Sequence, residues 1–167
     1  MSIANKIINL PALLKKLPAL RRKGQTIAFT NGCFDLMHIG HVKYLEEAGR
    51  GNRILIVGLN SDSSVGQIKG PNRPIVHQKS RAAVLAALES VDFVVIFNED
   101  TPYKIISKIK PDILIKGADY KGKPVIGEDL VGKVELVKYV PGFSTTNIIE
   151  KIKRDCFVAE SAPRNDK

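Results

Sequence analysis

Residues 26–48 read TIAFTNGCFDLMHIGHVKYLEEA, and this stretch decides the predicted fold. Its first part, residues 26–30, is a short apolar run with β-branched and aromatic residues, which favours a strand. Its last part, residues 41–48, places apolar residues three and four apart, which is the period of an amphipathic helix. A strand that leads through a short turn into a helix is the repeating unit of α/β domains.

The same alternation continues along the chain. Further apolar runs predict strands at residues 53–59, 92–97, 112–115 and 134–140, and helical periods cover residues 80–88, 102–109 and 146–153. Because the strand runs are apolar throughout, we expect them to be buried on both faces, as in a parallel sheet. We therefore predict an α/β fold with three layers, in which helices cover both faces of a five-stranded parallel sheet.

Length and cysteine content restrict the class of protein. A chain of 167 residues suits one domain with a substantial core, so we predict a single domain over residues 1–167. Its two cysteines, Cys33 and Cys156, are too few and too far apart for a disulfide framework or a zinc pattern. No run is long enough to span a membrane, and the N-terminus lacks a secretory signal. We expect a cytoplasmic protein.

The formal net charge of +9 allows several kinds of partner. The basic residues that precede the first acidic one are Lys6, Lys15, Lys16, Arg21, Arg22 and Lys23. Nucleic acid, an anionic membrane surface or a phosphorylated small molecule would each suit such a protein. No basic tract is interleaved with aromatic residues, as it is in proteins that bind single strands. We therefore expect a phosphorylated small molecule and no nucleic acid.

The segments between these elements are predicted from their composition. Residues 1–24 form an N-terminal helical segment, in which a helix over residues 10–23 is broken or restarted at Pro18 and packs on the domain. Residues 61–79 and 117–132 contain glycine and proline and are predicted to be long loops, a type that is usually functional or mobile. Residues 157–167 are polar and are predicted to be a flexible tail.

The turn after the first strand contains the first candidate site. In an open parallel sheet, ligands bind beyond the carboxyl ends of the strands, where helix N-termini attract anions. His38 and His41 are three residues apart and share one face of the helix start, where they can donate hydrogen bonds to phosphate oxygens. Gly40 between them has no side chain to block a phosphate. A zinc site lacks a third ligand nearby, and nothing typical of thiol catalysis accompanies Cys33.

A second candidate site lies at the start of the last predicted helix. Ser144, Thr145 and Thr146 follow a Pro-Gly turn and are residue types that cap helices. Capping alone would explain them. However, this helix also begins after the carboxyl end of a parallel strand, at the same edge of the sheet as the histidines. Its hydroxyl and amide groups could therefore hold the other side of one polyphosphate.

Basic and polar residues between the two sites are candidates for binding a second substrate. Arg81 begins a helix and could bind terminal phosphates in a bidentate manner. Arg73 and Lys69 lie in the long loop, where a basic side chain could close over a phosphorylated acceptor. The other candidates are Lys43, Asn60, Asp62 and Lys116. Such a site acts by positioning and by neutralising charge, without a covalent enzyme intermediate.

The string GCFDxxHxGH at residues 32–41 resembles the HxGH signature of the cytidylyltransferase-like nucleotidyltransferase superfamily, and residues 144–148 resemble its second signature, S-T-T/S-x-I. The resemblance implies a Rossmann-like domain and attack of a phosphate oxygen on the α-phosphorus of a nucleoside triphosphate, assisted by Mg²⁺. It assigns catalytic contacts with the triphosphate to His38 and His41, to which we add Arg81. The predicted nucleotide-binding residues are Cys33, Phe34, Gly40, Lys116, Gly117, Asp119, Ser144, Thr145 and Thr146. The predicted acceptor-binding residues are Lys43, Asn60, Asp62 and Lys69.

A closer resemblance, over nearly the whole chain, is to the adenylyltransferases of ADP-heptose synthesis. It rests on the strings NGCFD (31–35), LNSD (59–62), KGPNRP (69–74), EDTP (99–102), KGADY (116–120) and STTNII (144–149). It implies that ATP and D-glycero-D-manno-heptose 1-phosphate give ADP-heptose and pyrophosphate, for lipopolysaccharide or another surface glycan. It also implies a homodimer and a stand-alone transferase that is served by a separate sugar kinase.

Other functions remain open at this point. Glycerol-3-phosphate cytidylyltransferases share both signatures, but they typically carry Arg-Thr-Glu-Gly before Ser-Thr-Thr, where this chain has YVPG at residues 139–142. The missing arginine favours ATP over CTP. A nucleotide- or nucleic-acid-binding module without catalysis would fit the net charge, yet it has no need of both signatures. A dehydrogenase is disfavoured because no G-x-G-x-x-G follows the first strand.

Overall fold

The central sheet contains five strands that all run parallel: β1 (Thr26–Gly32), β2 (Arg53–Asn60), β3 (Phe93–Phe97), β4 (Ile113–Gly117) and β5 (Lys133–Val137). Their order across the sheet is β3-β2-β1-β4-β5. Strand order therefore changes direction between β1 and β4, which opens a crevice at their carboxyl ends. This arrangement in the computed structural model, which describes residues 2–138 and 142–161, confirms the predicted Rossmann-like α/β fold with a five-stranded parallel sheet.

The described helices are α1 (Ile3–Lys6), α2 (Leu10–Arg22), α3 (Ile39–Ala48), α4 (Asp62–Lys69), α5 (Gln78–Ala87), α6 (Tyr103–Ile109) and α7 (Thr145–Ser161). They give the sheet an apolar cluster on each face. Alternate residues of β2 show this best, because Ile54 and Ile56 belong to the cluster beneath α2 and α6. Leu55 and Val57 belong to the cluster beneath α3 and α5. Burial on both faces explains why the strands read as continuous apolar runs.

The connection predicted as a loop over residues 61–79 contains helix α4, so that part of the prediction was wrong. Ser61 caps the helix by accepting a hydrogen bond from the Ser64 amide at 3.2 Å. Asp62 lies in the first turn, where a negative charge is favourable, and Val65 is completely buried. The capping and the burial outweigh the weak helix preference of the serine-rich sequence. The irregular part shrinks to residues 70–77.

The break predicted at Pro18 is absent, because α2 is continuous from Leu10 to Arg22 with Pro18 inside it. Proline in a helix interior costs about 3 kcal/mol. Leu13 and Leu17 are 0% and 2% exposed, and burying each contributes about 1.5–3 kcal/mol, which is enough to offset the proline. Arg21 donates hydrogen bonds to the carbonyl oxygens of Ile109 and Lys110 at the end of α6. Helix α2 is thus packed on the domain, as expected.

Some predictions fall partly outside the described residues. Strand β5 ends at Val137, and residues 139–141, on which the preference for ATP over CTP rests, lie outside the described part. Helix α7 continues to Ser161, into the stretch predicted as a tail, and residues 162–167 lie outside. Within residues 2–138 and 142–161, no helix combines the length and the apolar character that crossing a membrane requires.

Candidate functional site

A cleft of about 670 Å³ lies at the carboxyl ends of the strands, where the order of the sheet changes direction. Its walls come from the β1–α3 turn, the ends of β2 and β4, and the start of α7. Most of the predicted site residues line it: Cys33, Phe34, His38, Gly40, His41, Asn60, Lys69, Lys116, Gly117, Asp119, Ser144, Thr145 and Thr146. The structure therefore brings both candidate sites of the sequence into one cavity.

The β1–α3 turn has a constrained backbone that is anchored at Asp35. Phe34 has a φ of 43°, a left-handed value that is uncommon for a bulky residue. The carboxylate of Asp35 accepts hydrogen bonds from the amides of Ile75 and Val76 and from Arg73 Nε, at 2.9, 2.8 and 2.6 Å. Burial opposes ionisation of Asp35, but these donors outweigh it and hold the pKa of the carboxyl below its usual value. The turn and the 70–77 connection are thus fastened together.

His38 and His41 form a stacked pair at the start of α3. Their ring centroids are 3.9 Å apart with an interplanar angle of 28°, and Phe34 lies 5.3 Å from His41. Both Nδ1 atoms are buried, and neither has a hydrogen-bond partner among the described residues. Such orphaned polar atoms are rare in folded proteins and cluster at functional sites more often than in ordinary cores.

The histidine pair is electrically neutral at neutral pH. Burial, followed by the neighbouring His38, lowers the pKa of His41 to about 4, and burial also lowers the pKa of His38. Gly40 is needed for this arrangement, since a Cβ built there would lie 2.9 Å from His38 Nδ1. This finding adds a second reason for the glycine besides room for a phosphate.

The start of α7 is tied directly to the histidine turn. Ser144 Oγ accepts a hydrogen bond from the Asn147 amide at 3.0 Å and so caps the helix. Thr145 Oγ1 donates to the Leu36 carbonyl oxygen at 3.3 Å, and Phe143 stacks on His38 with centroids 6.4 Å apart. The N-termini of α3 and α7 therefore face one cavity, and both favour anions there.

Lys116 is a buried cation at the end of β4. It is 6% exposed, and its Nζ donates to Asn31 Oδ1 at 2.5 Å and lies 5.4 Å from the centre of the Tyr120 ring. Burial lowers its pKa to about 8, against the opposing effect of Asp119. Because no described carboxylate forms an ion pair with it, Lys116 is suited to an anion supplied by a ligand.

Arg81, predicted to be catalytic, does not reach the cleft. It is 1% exposed, and its guanidinium donates to the carbonyl oxygens of Cys33 and Val76 and to Asp62 Oδ1. These bonds use all three of its nitrogen atoms. Position at a helix start made it a candidate in the sequence, but the helix turns this side chain inward, where it holds the β1–α3 turn.

Two predicted acceptor-binding residues also lie away from the cleft. Lys43 is on the exposed side of α3, where it pairs with Glu46 at 2.9 Å. Asp62 pairs with Arg81 and exchanges hydrogen bonds with the backbone and side chain of Gln78. Neither residue is among those that line the cavity. Their positions fit structural roles at the helix surfaces.

The cleft also contains residues that were not assigned from the sequence: Asn31, Asp35, Tyr44, Asp100, Tyr120, Ile126 and Phe143. Arg73, which the sequence offered as a basic residue of the long loop, lines it as well. Asn31 was detectable in principle, since it is the second-to-last residue of β1, at the edge of the sheet where ligands bind. Asp35 and Arg73 belong to the recognised strings, but their pairing joins positions far apart in sequence. Within residues 2–138 and 142–161, no three His, Cys, Asp or Glu side chains are grouped so as to hold a metal ion.

Comparison with known proteins identifies the family. The chain is 57% identical to a bifunctional protein HldE of Campylobacter fetus subsp. fetus, over 89% of this chain and 31% of that protein. It is 60% identical to the bifunctional protein HldE of Campylobacter jejuni subsp. doylei, over 82% of this chain and 30% of that protein. The chain thus spans about a third of the length of these relatives.

A solved structure has the same fold. The crystal structure of a lipopolysaccharide core biosynthesis protein from Thermoplasma volcanium superimposes with a TM-score of 0.56 at 26% identity, covering 70% of this chain and 98% of that one. The model of the family described as cytidylyltransferase-like matches residues 29–157, a range that contains both signatures and the whole cleft. The chain therefore belongs to the cytidylyltransferase-like family.

Proposed function

We propose that this chain transfers AMP from ATP to D-glycero-D-manno-heptose 1-phosphate, which gives ADP-heptose and pyrophosphate. Membership of the cytidylyltransferase-like family supports nucleotidyl transfer. The resemblance of the recognised strings to ADP-heptose adenylyltransferases, together with the similarity to bifunctional HldE proteins, supports this donor and this acceptor. The observation that carries the proposal is the stacked pair of His38 and His41, with its two orphaned Nδ1 atoms, between two helix N-termini.

The histidines suit a triphosphate better than an uncharged ligand. A neutral imidazole has one N–H donor, and the terminal torsion of histidine is broad, so either ring can turn its donor towards the cleft. A triphosphate placed there would add several negative charges, which favour the protonated imidazolium and so raise the pKa of both histidines. The pair would then stabilise the charge that grows on the departing pyrophosphate.

The reaction requires one bond to form and one to break. A phosphate oxygen of the sugar 1-phosphate attacks the α-phosphorus of ATP, and the bond from that phosphorus to the β-phosphate bridging oxygen breaks. Pyrophosphate takes the electron pair, and no proton has to be removed from the attacking oxygen. A divalent cation, which we expect to be Mg²⁺, enters on the triphosphate oxygens as part of the substrate.

The order of the strands divides the cleft into two halves. We assign the β4–β5–α7 half to the nucleotide, with Lys116, Gly117, Asp119 and residues 144–146, together with Cys33, Phe34 and Gly40 in the turn. We assign the β2 half to the acceptor, with Asn60 and Lys69. We propose that Arg81 is a positioning residue, since it holds the Cys33 carbonyl oxygen and is not among the residues that line the cleft.

The proposal is tested by measuring pyrophosphate release with ATP, CTP, GTP and UTP, each combined with both anomers of heptose 1-phosphate, mannose 1-phosphate and glycerol 3-phosphate. We expect turnover with ATP and one heptose anomer and little with the other pairs. Release with CTP and glycerol 3-phosphate alone would establish the rival cytidylyltransferase instead. A preparation with both histidines replaced by asparagine, purified in parallel, controls for contaminating enzymes.

Two implications of the resemblance stay predictions. One is that the chain forms a homodimer, which light scattering on the eluting protein would establish. The other is that a sugar kinase supplies the heptose 1-phosphate. Coupling the purified chain to such a kinase and following ADP-heptose formation from the unphosphorylated precursor would test the second.

A further inference from the structure

We infer that Arg73, held in place by Asp35, binds the phosphate group of the acceptor together with Lys69. This inference rests on the proposed nucleotidyl transfer, because it specifies how the second substrate is held. The sequence named Arg73 only as one of two basic residues in the long loop that could close over a phosphorylated acceptor, and its contact with Asp35 comes from the structure.

The first support is the way Asp35 holds one edge of the arginine. Asp35 is only 4% exposed and receives Arg73 Nε at 2.6 Å as well as two backbone amides of the 70–77 connection. A carboxylate with this many donors is fixed in position, and its bond to Nε restricts the orientation of the guanidinium. Fixing it in advance reduces the conformational entropy that is lost when an anion binds.

The second support comes from the two terminal nitrogens of the Arg73 guanidinium, which do not take part in the bond to Asp35. The terminal nitrogens, Nη1 and Nη2, have no hydrogen-bond partner among the described residues, although the side chain is only 18% exposed and Arg73 lines the cleft. A planar pair of N–H donors in a cavity matches two oxygens of a phosphate. The buried Arg81, in contrast, donates from all three of its nitrogen atoms to the protein.

The third support is the charge of one corner of the cleft, which is formed by Cys33, Lys69 and Arg73. The positive charges of Lys69, Arg81 and Arg73 all act on Cys33, where they oppose the larger effect of burial on the pKa of its thiol. Arg81 is paired with Asp62, and Arg73 with Asp35. Lys69 has no carboxylate partner among the described residues, so these three cations and two carboxylates leave one positive charge unpaired. A phosphomonoester dianion would neutralise it.

The position of the corner assigns it to the acceptor and not to ATP. Arg73 and Lys69 follow β2, on one side of β1, and line the cleft together with Asn60. Lys116 and the start of α7 follow β4 and β5, on the other side of β1. With the histidine pair between the two halves, an acceptor phosphate bound by Arg73 would approach the α-phosphorus from the side opposite to the α7 contacts.

Equilibrium binding separates the two substrates without relying on turnover. We would titrate heptose 1-phosphate by calorimetry into protein saturated with α,β-methylene-ATP and Mg²⁺, and titrate the nucleotide analogue alone in a second series. Arg73→Gln should weaken binding of heptose 1-phosphate on the order of 10- to 100-fold and leave the nucleotide Kd within about twofold. Arg73→Lys should recover only part of the loss, because an ammonium keeps the charge but lacks the planar fork that holds Asp35 on one edge and two phosphate oxygens on another.

Matched variants distinguish binding from structure. Lys79→Gln removes one positive charge from exposed Lys79 on α5, outside the cleft, and should change neither Kd. Asp35→Asn keeps the shape of the side chain but weakens the hold on Arg73, so it should raise the Kd for heptose 1-phosphate by less than Arg73→Gln does. Unchanged binding of the nucleotide analogue in each variant shows that the fold has survived.

Every outcome decides the inference. Weaker binding of the nucleotide analogue to Arg73→Gln, with the sugar phosphate unaffected, would place Arg73 on the triphosphate. No change in either Kd would make the Asp35 contact purely structural. If the wild-type chain does not bind heptose 1-phosphate, the proposed acceptor is wrong, and the comparison is made with glycerol 3-phosphate, mannose 1-phosphate and inorganic phosphate. A wild-type chain that binds none of these phosphates would overturn the inference as well.

Discussion

Replacing Lys116 by methionine should raise the free energy of unfolding of the ligand-free protein and weaken its binding of nucleotide. Lys116 is 6% exposed, and its pKa falls from the ordinary 10.5 to about 8 because of burial. At about 1.4 kcal/mol per pKa unit, the fold disfavours the ammonium by about 3 kcal/mol. Methionine has a similar length and no charge. It loses one hydrogen bond to Asn31, worth about 1 kcal/mol, so a net gain of about 2 kcal/mol is expected at pH 7.

The stability difference between Lys116→Met and the wild type should change with pH in a definite direction. Below pH 8 the wild-type lysine is charged in both the folded and the unfolded protein, and the full penalty applies. Between pH 8 and 10.5 the folded protein releases the proton before the unfolded chain does, so the penalty disappears as the pH rises. The stability advantage of Lys116→Met should therefore be full at pH 7 and absent above about pH 10.5.

The assay is urea denaturation at several pH values, with Lys123→Met as the control. Lys123 is exposed in the connection that follows β4, and its replacement should change stability by no more than about 0.5 kcal/mol. A gain of about 2 kcal/mol also raises the melting temperature of a chain of this size by about 4–8 °C. In parallel, the Kd of Lys116→Met for α,β-methylene-ATP should rise about tenfold or more. A variant that is less stable than the wild type at pH 7 would refute the reasoning from burial.

Three further substitutions test the rest of the site. His41→Asn should lower kcat on the order of a hundredfold with an intact far-UV spectrum. Because the pKa of His41 is about 4 in the folded protein, the wild type should lose stability between about pH 6.5 and 4 more steeply than this variant does. Equal stability profiles in acid would contradict this reasoning. Gly40→Ala places a Cβ 2.9 Å from His38 Nδ1 and should lower kcat about 10- to 100-fold in the pyrophosphate assay, while the melting temperature changes little. Arg81→Met leaves buried carbonyl oxygens and Asp62 without their partner and should reduce the free energy of unfolding by about 3 kcal/mol or more; a fully stable variant would show that the buried arginine does not hold the turn.

The parts of the fold that were predictable are those encoded locally. Residues 26–30 and 53–59 are strands because their side chains are apolar at successive positions, and burial on both faces requires this pattern. Helix α4 was missed because its signal is one capping bond at Ser61 and one buried valine, set among serines and glycines that favour loops. Capping of that kind becomes visible only when the backbone positions of Ser61 and Ser64 are known.

The candidate site likewise contains residues that local sequence predicts and residues that it does not. His38 and His41 could be paired from the sequence because a spacing of three at a helix start predicts a shared face, although His38 is the N-cap of α3 and has an extended backbone. Arg81 could not be placed, since the same sequence position faces the cleft or the core depending on how α5 rotates against the sheet. The contact between Asp35 and Arg73 depends on where the 70–77 connection lies, and no local pattern in either segment encodes that position.

The hydrogen bond from Thr145 to the Leu36 carbonyl oxygen has a consequence for the order in which the site is built. Its two residues are separated by 109 positions, so a ribosome has to synthesise all five strands before the donor exists. A nascent chain can pair β1 with β2 long before that point, and its histidine turn then lacks the opposite wall. Anions can therefore bind between the N-termini of α3 and α7 only after α7 has docked. Nucleotide affinity should then appear late in the folding of this chain.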